Sequence, residues 1–216
     1  MPALLLSLSV HEYAHAWTAS RLGDDTPRRQ GRLTLSPLAH IDPIGSILFP
    51  AIILYTSGGI FGWAKPVQFN PANFTRRISM RGGTALTAAA GPFSNVILAL
   101  VSVLLLRLML ELNLPIGASE AGTAAMVGEF LQAMFSLNVL LAVFNLFPLP
   151  PLDGSHLLPR SLDPLKERMS RYSFVLLFAI FFIPLPGLGG SIGFFLIRPI
   201  MSLLERALVA VASIGV

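Results

Sequence analysis

The sequence predicts an all-α polytopic membrane protein: a bundle of five or six transmembrane helices with one candidate re-entrant segment and short β or loop elements. Three observations carry this reading. Of the 216 residues 54% are hydrophobic and only 12% are charged, with a mean hydropathy of +0.71, whereas a soluble domain carries about a quarter charged residues. The apolar residues gather into runs approaching the ~20 needed to cross a bilayer. The basic residues fall in clusters between those runs, so the net charge of +4 reads as a set of topological signals and not as a nucleic-acid surface. One transmembrane domain over 1–216 accounts for the length, and a regulatory or adaptor module is expected on a separate chain.

The first span is expected from Pro2 to Leu22, ending at Gly23, a helix stop, before the polar loop Asp24 to Gln30. It has no basic n-region and is read as a retained span, not a cleaved signal. Gly31 to Pro37 alternates weakly, as a short strand or an extended edge would. Ile41 to Thr56 is apolar but short, broken by Pro43, Gly45 and Pro50 and closed by Ser57-Gly58-Gly59, which suits a segment that dips into the bilayer and returns. Phe61 to Pro71 is rich in turn formers and aromatics and is expected as an interfacial loop. Long apolar runs follow at Gly82 to Leu112 and Gly122 to Phe147, then two more spans near Tyr172 to Ile183 and Ile192 to Val211. Loops 23–40, 57–81 and 148–171 are basic, while 113–121 and 184–191 contain no Lys or Arg. If Ile41 to Thr56 is re-entrant, all three basic loops lie on the cytoplasmic side.

Inside the first run stands His11-Glu12-Tyr13-Ala14-His15. Two imidazoles and a carboxylate are costly in lipid and point to function. Four residues apart on a helix, His11 and His15 share one face within reach of a single metal ion, and Glu12 is placed to take a proton from metal-held water. The bland alternative is a hydrogen-bonded bundle pair with Glu12 matched to an arginine. With no cysteine in the chain, thiolate ligands, thiol nucleophiles and disulfides are excluded. A catalytic zinc needs a third protein ligand, and Asp153, beside Gly154 at the end of a proline-rich stretch, is the strongest candidate; its alternative is a helix N-cap. Glu111, Glu120, Glu129, Glu167 and Glu205 lie in no matching motif. His40 and Asp42 read as loop or cap residues or as a further metal contact, His156 as an interfacial side chain, and Arg107 as snorkelling or pairing with Glu111.

HExxH in a membrane span, Gly91-Pro92-Phe93-Ser94-Asn95 and Asn145-Leu146-Phe147-Pro148-Leu149-Pro150-Pro151-Leu152-Asp153-Gly154 together resemble the site-2 protease family of intramembrane zinc metalloproteases. Arg32 to Gly45 and Gly62 to Pro71 look like those of its compact members, which lack PDZ and CBS modules. The resemblance implies one Zn2+ held by His11, His15 and Asp153, with Glu12 as the general base that activates its water. It also implies substrate contacts by Asn95 and Asn145. The expected activity is hydrolysis of peptide bonds in transmembrane segments of other proteins, in a multi-pass cell-membrane enzyme with its active site toward the cytoplasmic leaflet. The expected partners are a transmembrane protein substrate and the bilayer, and no nucleic acid. The proline run has one more proline than the usual pattern. Two rivals remain: a membrane-anchored zincin acting on soluble or interfacial peptides, and a non-enzymatic metal-binding transporter.

Overall fold

The computed structural model describes residues 1–57, 62–116, 122–185 and 190–213. The Ser57-Gly58-Gly59 closure, Phe61, Glu120 and most of the two neutral turns therefore lie outside or at the edge of the described residues. The chain divides into two compact units, Met1–Ser94 and Asn95–Val216.

In the first unit, α1 (Pro2–Arg21) is helical over nearly the bounds expected for the first apolar run, Pro2 to Leu22. Its buried residues include Leu4, Leu8, His11, Glu12, His15 and Ala19, a stripe of helical period. Leu6 and Trp17 lie outside it and are exposed, and the Arg21 guanidinium stands 5.1 Å from the Trp17 ring. The helix ends in a Schellman motif: Gly23 takes φ 108°, its N–H donates to Ser20, and the Asp24 N–H donates to Ala19. Glycine reaches this conformation without the Cβ penalty of other residues.

Asp24 then organises the loop beyond. Its carboxylate accepts from Thr26 N and Oγ1 at 3.1 and 2.6 Å, Asn70 N at 2.6 Å and Asn73 Nδ2 at 2.8 Å. Burial pushes this carboxyl up, but the bonds from Asn73, Thr26 and Asn70 outweigh it and hold the group below its ordinary value. The expected polar loop Asp24 to Gln30 contains one helical turn, α2 (Thr26–Arg29).

No strand forms over residues 31–37. Ser36 N bonds to Thr34 Oγ1 at 3.1 Å, Arg32 Nη1 is taken by the carbonyl of Ala39, and Pro37 opens a second single turn, α3 (Pro37–His40). Local side-chain bonds and a proline have replaced the ladder that an extended edge requires. A π-helical stretch, Pro43–Leu48, leads into α4 (Phe49–Ser57). After the gap the chain returns to where this segment began, with Trp63 N on Gly45 O at 3.0 Å and Lys65 N on His40 O at 2.9 Å. Gly45 leaves room for the Trp63 ring.

Helix α5 (Met80–Glu111) holds Pro92 inside it and runs on into the second unit. There, α6 (Thr123–Asn145), α7 (Asp163–Arg171), α8 (Ser173–Phe182) and α9 (Ile192–Ser213) follow. A two-residue antiparallel ladder, β1 (Pro184–Leu185) with β2 (Gly190–Ser191), joins α8 to α9. The short polar helix α7 was read only as part of a basic loop, although Asp163-Pro164 is a helix-start signal.

One core cluster of this unit is Val143, Leu149, Leu152, Leu177, Phe181 and Ile197, and a second is Ala99, Val139 and Leu208. Phe181 meets Phe144 and Phe147 edge-on at 4.8 and 5.6 Å between centroids, and Gly193 lies against its ring. Leu149 and Leu152 thereby pin the proline-rich stretch, which has a cis Pro150-Pro151 bond. Arg107 pairs with Glu111 at 2.8 Å and also donates to the Ala212 carbonyl at the end of α9. Pairing was one of the two expectations for it.

Among the described residues, two helices are long and apolar enough to cross a membrane, Met80–Glu111 and Thr123–Asn145. The other candidates for the expected five or six spans fall short for physical reasons. Helix α1 carries the His-Glu-His turn, α9 carries Arg198, Glu205 and Arg206, and Pro43–Ile52 and Ser173–Phe182 are shorter apolar helices.

Candidate metal centre

The α1 stripe brings His11 and His15 together as their spacing requires. Their rings meet edge to face with centroids 4.6 Å apart, and the two Nε2 atoms are 3.0 Å apart. Both residues are buried, at 5% and 7% exposure. His15 Nδ1 lies 2.7 Å from the Thr87 carbonyl of α5. A carbonyl can only accept, so Nδ1 carries the proton and, in the neutral ring, Nε2 of His15 presents a lone pair.

Two facing imidazole nitrogens at this distance need a proton or a cation between them. Two nitrogens at zinc-ligand distances on a tetrahedral ion lie roughly 3.3 Å apart, so the pair fits such an ion with a few tenths of an ångström of adjustment. An N–H on one ring, the Nδ1 anchor on a carbonyl and burial are also the usual setting of a metal-ligating histidine.

Glu12, on the same turn, is buried, and its Oε2 accepts from the Val67 N–H at 2.8 Å. The donor belongs to the irregular stretch 62–70, the loop expected there. No arginine partner is needed to account for the carboxylate. Gly91 of α5 closes the site from another side: a Cβ there would stand 2.6 Å from His11 Cε1 and closer still to His15 Nε2 and Cε1.

In the second unit, Asp153 opens the 3-10 turn Asp153–His156, whose N-cap is Leu152 without a side-chain cap bond. The cap reading of Asp153 is therefore not the arrangement seen. Gly154 packs on the end of α6, where a Cβ would lie 2.6 Å from Phe147 O and closer to the Leu146 carbonyl. The turn can fold back there only without a side chain.

Asn95 is fully buried and donates to Asn138 Oδ1 at 2.7 Å, and Asn138 donates in turn to Met134 O at 2.8 Å. This is a polar pair between α5 and α6, and Asn138 carried no motif that would have singled it out. Asn145 donates to Leu141 O at 3.0 Å within α6, and its amide oxygen has no partner among the described residues.

Asp42 caps the π-helical stretch through Ile44 N and Gly45 N. His40 is buried with Nε2 at 2.8 Å from Thr34 O. Both take their loop-and-cap reading. His156 is exposed, with Nδ1 3.1 Å from Lys166 Nζ.

Sequence reasoning missed the groups that hold the histidine turn: the Val67 N–H, the Thr87 carbonyl and the space at Gly91. The first two are main-chain atoms and leave no mark on residue choice. Gly91 was visible only as part of a recognised motif.

Comparison with known proteins agrees with these features. Residues 109–184 match the family model described as peptidase family M50, a stretch that includes Asn145 to Gly154. The chain is 37% identical over 187 residues to YwhC of Bacillus subtilis, assigned by name to the zinc metalloproteases, covering 84% of this chain and 79% of that one. It is 35% identical over 165 residues to Rip2 of Mycolicibacterium smegmatis, covering 76% of this chain and 57% of the relative. To Rip2 of Mycobacterium tuberculosis H37Rv it is 33% identical over 189 residues, 83% of this chain and 65% of the relative. Both Rip2 proteins are also assigned by name to the zinc metalloproteases, and the chain spans less than two thirds of either. No solved structure gives a significant match. An identity of 37% over most of both chains places the protein in peptidase family M50, the site-2 protease family of zinc metalloproteases.

Proposed function

We propose that the chain is an intramembrane endopeptidase that hydrolyses peptide bonds within transmembrane segments of other proteins. One observation carries the reading: a buried histidine pair with 3.0 Å between Nε2 atoms, and a buried glutamate on the same turn. His11, His15 and Asp153 are its metal ligands. Support for Asp153 comes from its motif, which falls in the stretch matched to the family, and from the turn that Gly154 permits.

When bound, zinc polarises the scissile carbonyl and makes water acidic enough to attack near neutral pH. Glu12 takes the proton of that water as its oxygen adds to the carbonyl carbon. It then delivers the proton to the departing amine as the C–N bond breaks. The Val67 N–H fixes Oε2, which leaves Oε1 to handle the proton.

A helical substrate must unwind locally, since its carbonyls are otherwise tied up in its own turns. Asn145 and Asn95 are the proposed side chains that hold the unwound strand. Asn145 has its amide oxygen to offer, whereas Asn95 must share or release its bond to Asn138.

Five spans are proposed in the cell membrane, α1, α5, α6, α8 and α9, with residues 41–56 re-entrant; a full crossing by 41–56 would make six. Loops 23–40, 57–81 and 148–171, which hold most of the basic residues, then face the cytoplasm, and the active site lies toward that leaflet.

Metal analysis tests the ligand set. Purified wild type is expected to hold one zinc, and His11→Ala and Asp153→Ala are expected to lose it together with cleavage of a model transmembrane substrate. Full zinc and full activity in Asp153→Ala would remove that residue from the set, and an active wild type without zinc would overturn the mechanism.

A further inference from the structure

Thr87 and Gly91 are four residues apart on α5, one helical turn, and both face the histidine pair. Neither takes part in the hydrolysis described above. We infer that this turn of α5 is the template that sets the metal-binding geometry of His11 and His15, through the main-chain carbonyl of Thr87 and the missing side chain of Gly91. Both act as positioning groups, and the inference rests on the zinc reading of the histidine pair.

The Thr87 carbonyl fixes which nitrogen of His15 is available. At 2.7 Å from Nδ1 it demands a proton there, so Nε2 keeps its lone pair and the ring cannot rotate without losing a buried bond. The role belongs to the carbonyl and not to the hydroxyl. Thr87 Oγ1 is buried and has no hydrogen-bond partner among the described residues, so nothing in the site leans on it.

Gly91 controls how near the rings approach. A methyl group here would lie 2.6 Å from His11 Cε1 and closer to two atoms of His15, well inside van der Waals contact. Both rings would be hit at once, and one of them is tied to the same helix by its Nδ1 bond. The rings would have to turn away or α1 would have to lift, and either change alters the 3.0 Å spacing of the Nε2 atoms. Alanines 88, 89 and 90 beside Gly91 keep this stretch of α5 small, as close helix approach in a membrane requires.

The test uses the full chain in detergent micelles or nanodiscs. Zinc affinity is measured by competition with a chromophoric chelator, and Co(II), substituted for zinc, reports ligand geometry through its visible absorption. Gly91→Ala is expected to weaken zinc by about ten- to a hundred-fold, as loss of a supporting contact does at metal sites, and to change the Co(II) band positions. Thr87→Val, which keeps the carbonyl, is expected to bind zinc as wild type does with an unchanged Co(II) spectrum. In the zinc-loaded wild type, nitrogen NMR of labelled histidine is expected to show His15 protonated at Nδ1.

Wild-type affinity and spectrum in a folded Gly91→Ala would overturn the proposal, as would lost zinc in Thr87→Val or a His15 protonated at Nε2. If Gly91→Ala does not fold, the wild-type NMR result decides. A wild type that binds no zinc would sink the underlying reading, separately from a variant that binds zinc unchanged.

Discussion

At the scale of single residues, the chemistry depends on main-chain groups as much as on the side chains that catch the eye. Glu12 is held by one N–H, that of Val67, at 2.8 Å. A hydrogen bond to a charged group contributes about 1.5–3 kcal/mol, so Val67→Pro, which removes the donor, is expected to lower kcat by about ten- to a hundred-fold. Zinc content and KM should change little. Steady-state cleavage with parallel metal analysis checks this, and an unchanged kcat would show that Glu12 is oriented by something else. The His-Glu-His turn was legible in the sequence because helical geometry alone puts positions 11 and 15 on one face. Its supports were not, since an amide or a carbonyl belongs to every residue. Asn95 shows the limit from the other direction: a polar residue in a span suggests either a substrate contact or a bundle bond, and only the position of Asn138 reveals the second.

Among the elements, α1 is held at its C-terminal end by the Leu22 carbonyl and the Asp24 carboxylate, which together join the helix to residues 70–75. The Asp24 carboxyl is held below its ordinary value of 3.8. A carboxylate depressed in the folded state adds stability that is present above its unfolded pKa and is lost as pH falls through the folded one. Thermal melts in detergent from about pH 6 down to about pH 3 are therefore expected to show an acid limb that is shallower in Asp24→Asn, which should also be less stable than wild type at neutral pH. Identical limbs would remove Asp24 from the account. The long helices were legible from apolar runs and their stops, with Gly23 and Gly122 both at the ends expected of them. The strand over 31–37 did not form because Thr34, Ser36 and Pro37 favour local bonds over a ladder. Helix α7 was missed because its nine mostly polar residues carry only Leu165 and Met169 at helical spacing, too short an apolar face to stand out from a basic loop.

At the scale of the whole molecule, the proposed topology requires the basic loops to share one side. The chain has no cysteine, so single cysteines report on topology without background. Arg28→Cys, Arg77→Cys and Arg160→Cys are expected to react with an impermeant maleimide only after the cytoplasmic side is exposed, and Leu114→Cys from the opposite side. Labelling of residue 28 from the side opposite to residues 77 and 160 would mean that the segment 41–56 crosses fully, and would put the HExxH turn and Asp153 at opposite leaflets. The return of Trp63 and Lys65 to Gly45 and His40 favours the first outcome. Fold class was legible from composition because so few charges leave no way to cover a soluble surface. The number of spans was not legible in the same way: among the described residues two helices are long and apolar enough to cross a membrane, and α1 and α9 carry polar groups that a hydropathy test counts against them.

The central claim is that this turn of α1 cuts peptide bonds inside a transmembrane segment. Its most direct test is a reconstituted single-pass substrate incubated with zinc-loaded wild type and with Glu12→Gln, with the cut mapped by mass spectrometry and zinc measured in both. The account predicts a cut within the apolar segment by wild type, and a loss of about a hundred-fold or more in rate in the variant, with one zinc retained by each. A cut confined to residues outside the apolar segment, or an equal rate in Glu12→Gln, would contradict it.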